Sequence, residues 1–348
     1  MKKHTHLSLT ALFLFAALLL KAGDAKVKLT FGAEYELPKK HYDIGFIGDA
    51  ARGYVQIGHA PGKSLSLQRF DKNLKLVSEQ LITLKGLPKG YVTESWREVG
   101  DSYYWFYSTW DKKAQREHLF SQKINVEKGN LDGGPKEILE ANKISGTLTM
   151  TGFYNFSTQD KWNFTRSADK KVTLIQYRIV PKEKRDVKNT DLVGLHVYDE
   201  NMNKIWGNEI TMPYTEADMD NVDYQVDGKG NVYCLAKIYD DRKSKDKTKP
   251  NYHFEILLWK KGKTEVTKIP FKFEDKFVSS AILLEDYKGR VIVAGYYSKI
   301  FRSGASDGAF VLKVDLDEGK VSNVQKGIYE FPTELLKEFE SQRTKKKI

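Results

Sequence analysis

The sequence predicts an all-β protein, an irregular β-propeller of about five recognisable blades with a short C-terminal helix, on two observations. Short runs rich in Val, Ile, Tyr, Phe and Thr alternate with polar residues, while helical periodicity is nearly absent. The runs also recur in order, and the ends of corresponding strands align as QRFDKNLK, SQKINVEKGN, HVYDENMNK, LLWKKGKT and VDLDEGK. Their turns begin near residues 71, 125, 199, 260 and 315, and this uneven repeat of about 60 residues suits propeller blades carrying long loops. Five units are countable, 44–89, 90–142, 148–214, 220–272 and 277–331, with a sixth blade or an incomplete ring left open.

Residues 1–25 stand apart from the fold. A basic start, Lys2-Lys3, precedes the apolar run LSLTALFLFAALLL, and Gly23 and Ala25 occupy the small-residue positions of a cleavage site before Lys26. This is the pattern of a signal peptide, and the run is short for a membrane span of about 20 apolar residues. The expectation is an exported chain, periplasmic or extracellular, with no integral membrane span after cleavage. Residues 26–331 then form the propeller-like domain and 332–348 a C-terminal amphipathic helix with a basic tail.

The elements follow in chain order. Strands are expected at GYVQIGH from Gly53, SLSLQRF from Ser64, SYYWFYSTW from Ser102, KVTLIQYRI from Lys171, LVGLHVYD from Leu192, NVYCLAKIY from Asn231, FEILLWKK from Phe254, RVIVAGYYS from Arg290 and GAFVLKVD from Gly308. Polar turns, SADKK at Ser167, DGKG at Asp227 and EDYKGR at Glu285, are expected to lead into the last three blades, because Asp, Asn and Gly suit tight turns. The early KLTFGAEYEL, from Lys28, is a candidate to complete a blade. In FPTELLKEFESQRTKKKI, Leu335, Leu336 and Phe339 share one helical face behind a cap at Thr333, and the final lysines favour the negative end of the helix dipole.

Two of these segments carry a resemblance. SADKKVTLIQY resembles the Ser-Pro-Asp-Gly-Lys start of the WD40-like repeats of bacterial periplasmic propellers, with Ala168 and Lys170 in place of Pro and Gly. DGKGNVYCLAKIY, GYYS and DGAFVLKVD are similar to uncharacterised exported propeller-like proteins of Bacteroidetes. The resemblance extends over residues 30–330 and implies fold and export. Its motifs are structural turns, so it carries no catalytic residue across.

Bulk composition narrows the function classes. The formal net charge is +11; a solvated surface rich in lysine is the plainest account, and after export an anionic glycan or membrane surface fits a basic patch better than nucleic acid does. The single cysteine, Cys234, lies in an apolar strand and reads as an inert buried thiol, so no internal disulfide holds the fold. Gly58-His59-Ala60-Pro61-Gly62-Lys63-Ser64 misses the phosphate-loop spacing by one residue and precedes a strand where a helix is needed. Gly304-Ala305-Ser306-Asp307-Gly308 matches a nucleophile elbow in letters but is also followed by a strand.

The candidate sites are accordingly few, and no catalytic or cofactor-binding residue is assigned. In SYYWFYSTWD, Tyr103, Trp105 and Tyr107 face one way and Tyr104 and Phe106 the other; Trp96, Tyr103, Trp105 and Trp110 are candidates for stacking a sugar ring, in competition with blade packing. Asp218, Asp220 and Asp223, within TEADMDNVDYQVDGKG, are oxygen donors that calcium could use, but the EF-hand order is absent and a solvated blade entrance is the favoured reading. The histidines His41, His59, His118, His196 and His253 are scattered and define no zinc site. Two basic loops, VPKEKRDVKNTD from Val180 and YDDRKSKDKTKPNY from Tyr239, would offer an anionic glycan or lipid headgroup a docking face if they lie together. The functional expectation is an exported, non-enzymatic binding or interaction scaffold of the bacterial envelope, with a protein or glycan partner. The alternative is a glycan-active hydrolase or lyase using carboxylates at the channel.

Overall fold

The computed structural model describes residues 34–35 and 40–339, apart from 85, 89, 153–154, 160, 182–188, 287, 302–304, 317 and 323–325. The leader, most of KLTFGAEYEL, most of the first basic loop and the final basic tail lie outside the described residues.

Five antiparallel sheets follow one another along the chain, each a meander in sequence order. Blade 1 holds β1 (Tyr42–Asp49), β2 (Gly53–Ala60), β3 (Ser64–Phe70) and β4 (Leu76–Thr83). Blade 2 holds β5 (Val92–Val99), β6 (Ser102–Asp111), β7 (Arg116–Asn125) and β8 (Asn130–Ala141). A separate hairpin, β9 (Thr147–Gly152) and β10 (Asn155–Gln159), occupies the start of the third expected unit. Blade 3 begins only after it, with β11 (Asn163–Arg166), β12 (Val172–Arg178), β13 (Thr190–Asp199) and β14 (Lys204–Thr215). Blade 4 is β15 (Met219–Val226), β16 (Val232–Tyr239), β17 (Tyr252–Trp259) and β18 (Val266–Phe271). Blade 5 is β19 (Phe277–Glu285), β20 (Val291–Ser298), β21 (Gly308–Asp315), β22 (Lys320–Ser322) and β23 (Ile328–Glu330), the last two both pairing with β21. A seven-residue helix, α1 (Thr333–Phe339), follows. The protein is an all-β propeller with a short helix after its last blade.

One turn chemistry serves these sheets in two places. In FDKNLK, Asp71 Oδ1 accepts from the amides of Asn73 and Lys75, and the backbone closes from Asp71 N to Lys75 O and from Leu74 N to Asp71 O. Asp199 and Asp227 repeat this pattern with Asn201 and Asn203, and with Lys229 and Asn231; Asp286 does so with Lys288 and Arg290. The fourth residue of each turn takes a positive φ: 61° at Leu74, 58° at Met202, 87° at Gly230 and 72° at Gly289. Glycine meets that angle without strain, whereas a side chain there costs about 1–2 kcal/mol. The turns at Asp71 and Asp199 join third strands to fourth strands. SADKK, DGKG and EDYKGR do not lead into blades, as the sequence suggests; each joins the first strand of a blade to its second.

Second and third strands build the core because they are apolar on both faces. On β16, Val232, Cys234, Ala236 and Ile238 enter the cluster shared with blade 3, while Tyr233 and Leu235 enter the one shared with blade 5. The two-residue period of a strand thus feeds two interblade cores at once. On β6, Tyr103, Trp105 and Tyr107 pack toward blade 1 and Phe106 toward blade 3, the alternation expected from the sequence. Each fully buried aliphatic or aromatic side chain contributes about 1.5–3 kcal/mol. Cys234 is fully buried, and burial pushes its thiol up to about 12, the inert state expected.

Four clusters join the five blades in succession, 1–2, 2–3, 3–4 and 4–5. Among the described residues none joins blade 5 to blade 1. The outward faces of the terminal blades carry exposed Ile44 and Phe46 on β1, Ile282 on β19, Tyr296 on β20 and Val311 on β21. Tyr35, from the early segment, covers part of blade 1 by packing on Phe70 and donating to Gln56.

Candidate functional site

The first strands, β1, β5, β11, β15 and β19, are less apolar than the strands behind them; β1 packs beside β5, β11 beside β15 and β15 beside β19. Four of them share an irregularity. On β5, Thr93 and Ser95 oppose the consecutive residues Tyr107 and Phe106, so Glu94 is an extra, bulged residue. Val222 on β15 and Ser279 on β19 stand in the same way, and the register of β1 shifts between Tyr42 and Gly45. A bulge re-aims the side chains that follow it. Thr93 and Trp96, three residues apart, therefore both meet Trp105: its indole donates to Thr93 Oγ1 at 3.0 Å, and Trp96 stacks on it at 5.4 Å.

Two contiguous cavities open among these strands. One, of 470 Å³, is lined by Glu94, Arg97, Trp162, Asn163, Asn221 and Asp223 among others; the second, of 580 Å³, by Trp96, Arg97, Glu98, Phe164 and Arg166 among others. Arg97, Phe164 and Thr165 line both, so the cavities form one channel of a size suited to small ligands.

Two arginines in this channel differ in their pairing. Arg166 meets Glu98 at 2.5 Å, and Lys170 meets the same carboxylate at 3.2 Å. Burial would push Glu98 up, but the hydrogen bonds from Arg166 and Lys170 outweigh it and hold the carboxyl below its ordinary value. Arg97 donates Nε–H to Ser95 Oγ at 2.9 Å and lies with Cζ 5.2 Å from the centre of the Phe164 ring. Among the described residues no carboxylate reaches it. Burial, reinforced by the charge of Arg166, lowers its pKa, the signature of a cation that would gain from an anion.

The opposite wall is acidic. Asp223 accepts from the Leu283 amide at 2.8 Å and from its neighbour Tyr224, yet burial outweighs both and raises its pKa. Glu94 accepts from Ser108 Oγ at 2.5 Å. Beside the paired Arg166 and Glu98, the channel thus offers the Arg97 guanidinium, the carboxylates of Glu94 and Asp223, the amides of Asn163 and Asn221, and the aromatic rings of Trp96 and Phe164. The Trp162 indole N–H finds no acceptor among the described residues.

The structure separates the residues singled out from sequence. Trp96 lines the channel, half-buried, with its indole donating to Asp43 O at 3.0 Å. Tyr103 is buried, donating to Asp49 at 3.2 Å beneath Arg52. Trp105 has no exposed surface, covered by Trp96 and Tyr107, so it packs blades and offers no face to a ligand. Trp110, at the other end of β6 from Tyr103 and opposite Glu117, lines neither cavity. The three aspartates part company: Asp218 accepts from Thr215 Oγ1, Asp220 from Tyr239 Oη, and Asp223 from Leu283 on the next blade. Among the described residues, the group of metal-donor side chains that converges is His118, Glu137 and Glu140, on the outer strands of blade 2. Its His118 Nδ1 lies 2.7 Å from Glu137, and Arg116 approaches Glu140 at 3.3 Å. Ser306 of the elbow-like motif lies 3.4 Å from Ser279 Oγ and is followed by β21, a strand. Arg97 and Glu94 escaped the sequence reading; the half-polar TESWREV before SYYWFYSTW was the signal for them.

No protein family and no curated protein matches the chain. Among solved structures it is similar to a thermostable family-43 glycoside hydrolase, at 11% identity over 81% of this chain and 92% of that one, with a TM-score of 0.30. It is similar to an oligogalacturonate lyase in complex with manganese, at 13% identity over 78% of this chain, with a TM-score of 0.38; the chain spans 61% of that enzyme's length. The β-propeller domain of the Trilobed protease from Pyrococcus furiosus, described as having an open velcro topology, matches at 14% identity over 78% of this chain and 68% of that one, with a TM-score of 0.37. These likenesses bear on fold alone.

Proposed function

We propose that this chain is an exported, non-enzymatic binding propeller of a bacterial envelope, whose channel takes an acidic sugar at the end of a glycan. Export rests on the leader-like residues 1–25. The observation that carries the ligand class is Arg97, a guanidinium without a carboxylate partner among the described residues, held over Phe164. Beside it stand the hydrogen-bonding and stacking groups that sugar rings engage, Asn163, Asn221 and Trp96. A planar guanidinium grips a carboxylate through two parallel bonds. Calorimetry with glucuronic acid disaccharides against neutral glucose disaccharides tests this. The acid should bind more tightly, and Arg97→Met should abolish the difference, a loss of about ten-fold or more in affinity. Equal affinity for acid and neutral sugar in the wild type sinks the proposal.

A second reading, a glycan-active enzyme, is favoured by one observation: Glu94 and Asp223 line the same cavity, and burial raises Asp223 toward the protonated form a general acid needs. It requires release of new reducing ends from an acidic glycan, lost in both Glu94→Gln and Asp223→Asn. Binding without turnover sets it aside.

A further inference from the structure

The face of β16 that builds the blade 4–5 core changes character toward the rim. Tyr233 and Leu235 are fully buried there, but two residues on the same face carries a cation, Lys237, and two more an aromatic ring, Tyr239. Lys237 Nζ sits 4.1 Å from the centre of the Tyr252 ring and 5.1 Å from that of Tyr239. Among the described residues it meets no carboxylate and no hydrogen-bond acceptor. Arg242, from the basic loop after β16, lies over the other part of this wall, 4.2 Å from the Tyr239 ring centre. Arg242 is partly compensated, since Asp220 lies 3.8 Å away and itself accepts from Tyr239. Lys237 has the same Asp220, its partner across the β15–β16 pair, only as a longer-range charge and gains no direct ion pair from it.

These groups form one wall of a crevice of 470 Å³ between blades 4 and 5, on the side where the second-to-third strand loops project. The opposite wall is apolar: Phe277, Val278, Ile300 and Phe301, with Phe277 and Phe301 in ring contact at 5.5 Å. Ile300 is 67% exposed, the greatest exposure of any large apolar side chain among the described residues. Tyr252 Oη accepts the Val278 amide at 3.0 Å, which leaves its own proton without an acceptor among the described residues. One donor, one ammonium without a direct ion-pair partner among the described residues, and an apolar wall converge on the same space.

We infer that this crevice is a second binding site, distinct from the channel, for a small amphiphilic anion: an apolar body lying against Phe277, Ile300 and Phe301, with its acidic group on Lys237 and the Tyr252 hydroxyl. An anion there gives Lys237 the direct partner that Asp220, engaged by Tyr239 and Arg242, does not. A neutral apolar molecule would leave the ammonium unpaired, and a small hydrophilic anion would leave the apolar wall wet. The basic residues Lys245 and Lys247, which line an adjoining cavity with Phe301, add attraction at longer range.

The test uses two fluorescent probes with the same apolar body, anilinonaphthalene sulfonate and its uncharged analogue N-phenyl-1-naphthylamine. The full chain should bind the sulfonate about ten-fold more tightly than the neutral probe, and added salt should narrow the gap. Lys237→Met keeps the apolar stem and should weaken the sulfonate about ten-fold while leaving the neutral probe unchanged. Ile300→Glu, at an exposed position, should weaken both probes, the sulfonate about ten-fold or more, without touching a buried group, and Arg97→Met should weaken neither. The inference is overturned if the two probes bind alike, or if folded Lys237→Met retains the wild-type sulfonate affinity. Should Lys237→Met fail to fold, unchanged sulfonate binding by Ile300→Glu overturns it equally.

Discussion

The first and second strands of each blade are neighbours in sequence and in space, yet they do opposite work. β16 and β6 are apolar along most of their length and send alternate side chains into two interblade cores. β5 and β15 carry Glu94, Arg97, Asn221 and Asp223 around a bulge and leave them facing the channel. The difference teaches that the core is written in one set of strands and the polar lining of the channel in the adjoining set.

Paired substitutions sharpen that contrast. The largest effect is expected where a core aromatic is lost: Trp105→Ala should destabilise by about 3–5 kcal/mol in denaturant unfolding. Trp96→Ala, one strand closer to the axis and half-exposed, should cost well under half as much. A similar loss for both would erase the distinction between core and channel.

The turns give the next effect. Asp227 is buried and accepts from the amides of Lys229 and Asn231, the Asn231 side chain and the Tyr233 hydroxyl. Asp227→Ala should cost about 3 kcal/mol, because four hydrogen bonds to a buried carboxylate are lost and the buried Tyr233 hydroxyl is left without its acceptor, whereas Asp71→Ala, at the more exposed counterpart, should cost about 1 kcal/mol.

Acid pH probes blade 3. His196 is buried between Tyr177 and Gly207, and burial, followed by the charge of Lys204, lowers its pKa to about 3. The unfolded chain takes up a proton near pH 6.5, where the folded chain does not. Stability should therefore fall as pH drops from 6.5 toward 3, by about 1.4 kcal/mol per pH unit from this residue. His196→Gln should remove one proton's worth of that slope; an unchanged slope in the variant would contradict the assignment.

The smallest effect is expected on the outward face of blade 5. Ile282→Ala should change stability by no more than about 0.5 kcal/mol, while Leu283→Ala, one residue on and buried, should cost about 2–5 kcal/mol.

Much of the fold was legible, and for a physical reason. Strands buried on both faces read as long apolar runs, so β2, β3, β6, β12, β13, β16, β17, β20 and β21 all stand where the sequence places strands. Four of the first strands were missed because an irregularity breaks the two-residue period on which such a reading depends, as at Thr93-Glu94-Ser95, and β11 because it is only four residues long. SADKK was misplaced because an Asp-centred turn has the same chemistry inside a blade as between blades. The aromatic alternation of β6 was visible, but not its depth: Trp105 and Trp96 look equally suited to stacking until one is seen to cover the other. Arg97 was hidden for a further reason. In sequence it is one charge in WRE, and its lack of a carboxylate partner emerges only when β11, nearly seventy residues on, supplies Arg166 to Glu98 instead.

The claim that the first strands carry the function is tested most directly by the structure of the chain crystallised with a glucuronic acid disaccharide. The account predicts the sugar in the channel, with its carboxylate on Arg97 and a ring face against Phe164 or Trp96. A disaccharide bound outside the channel, or inside it with its carboxylate turned away from Arg97, would contradict it.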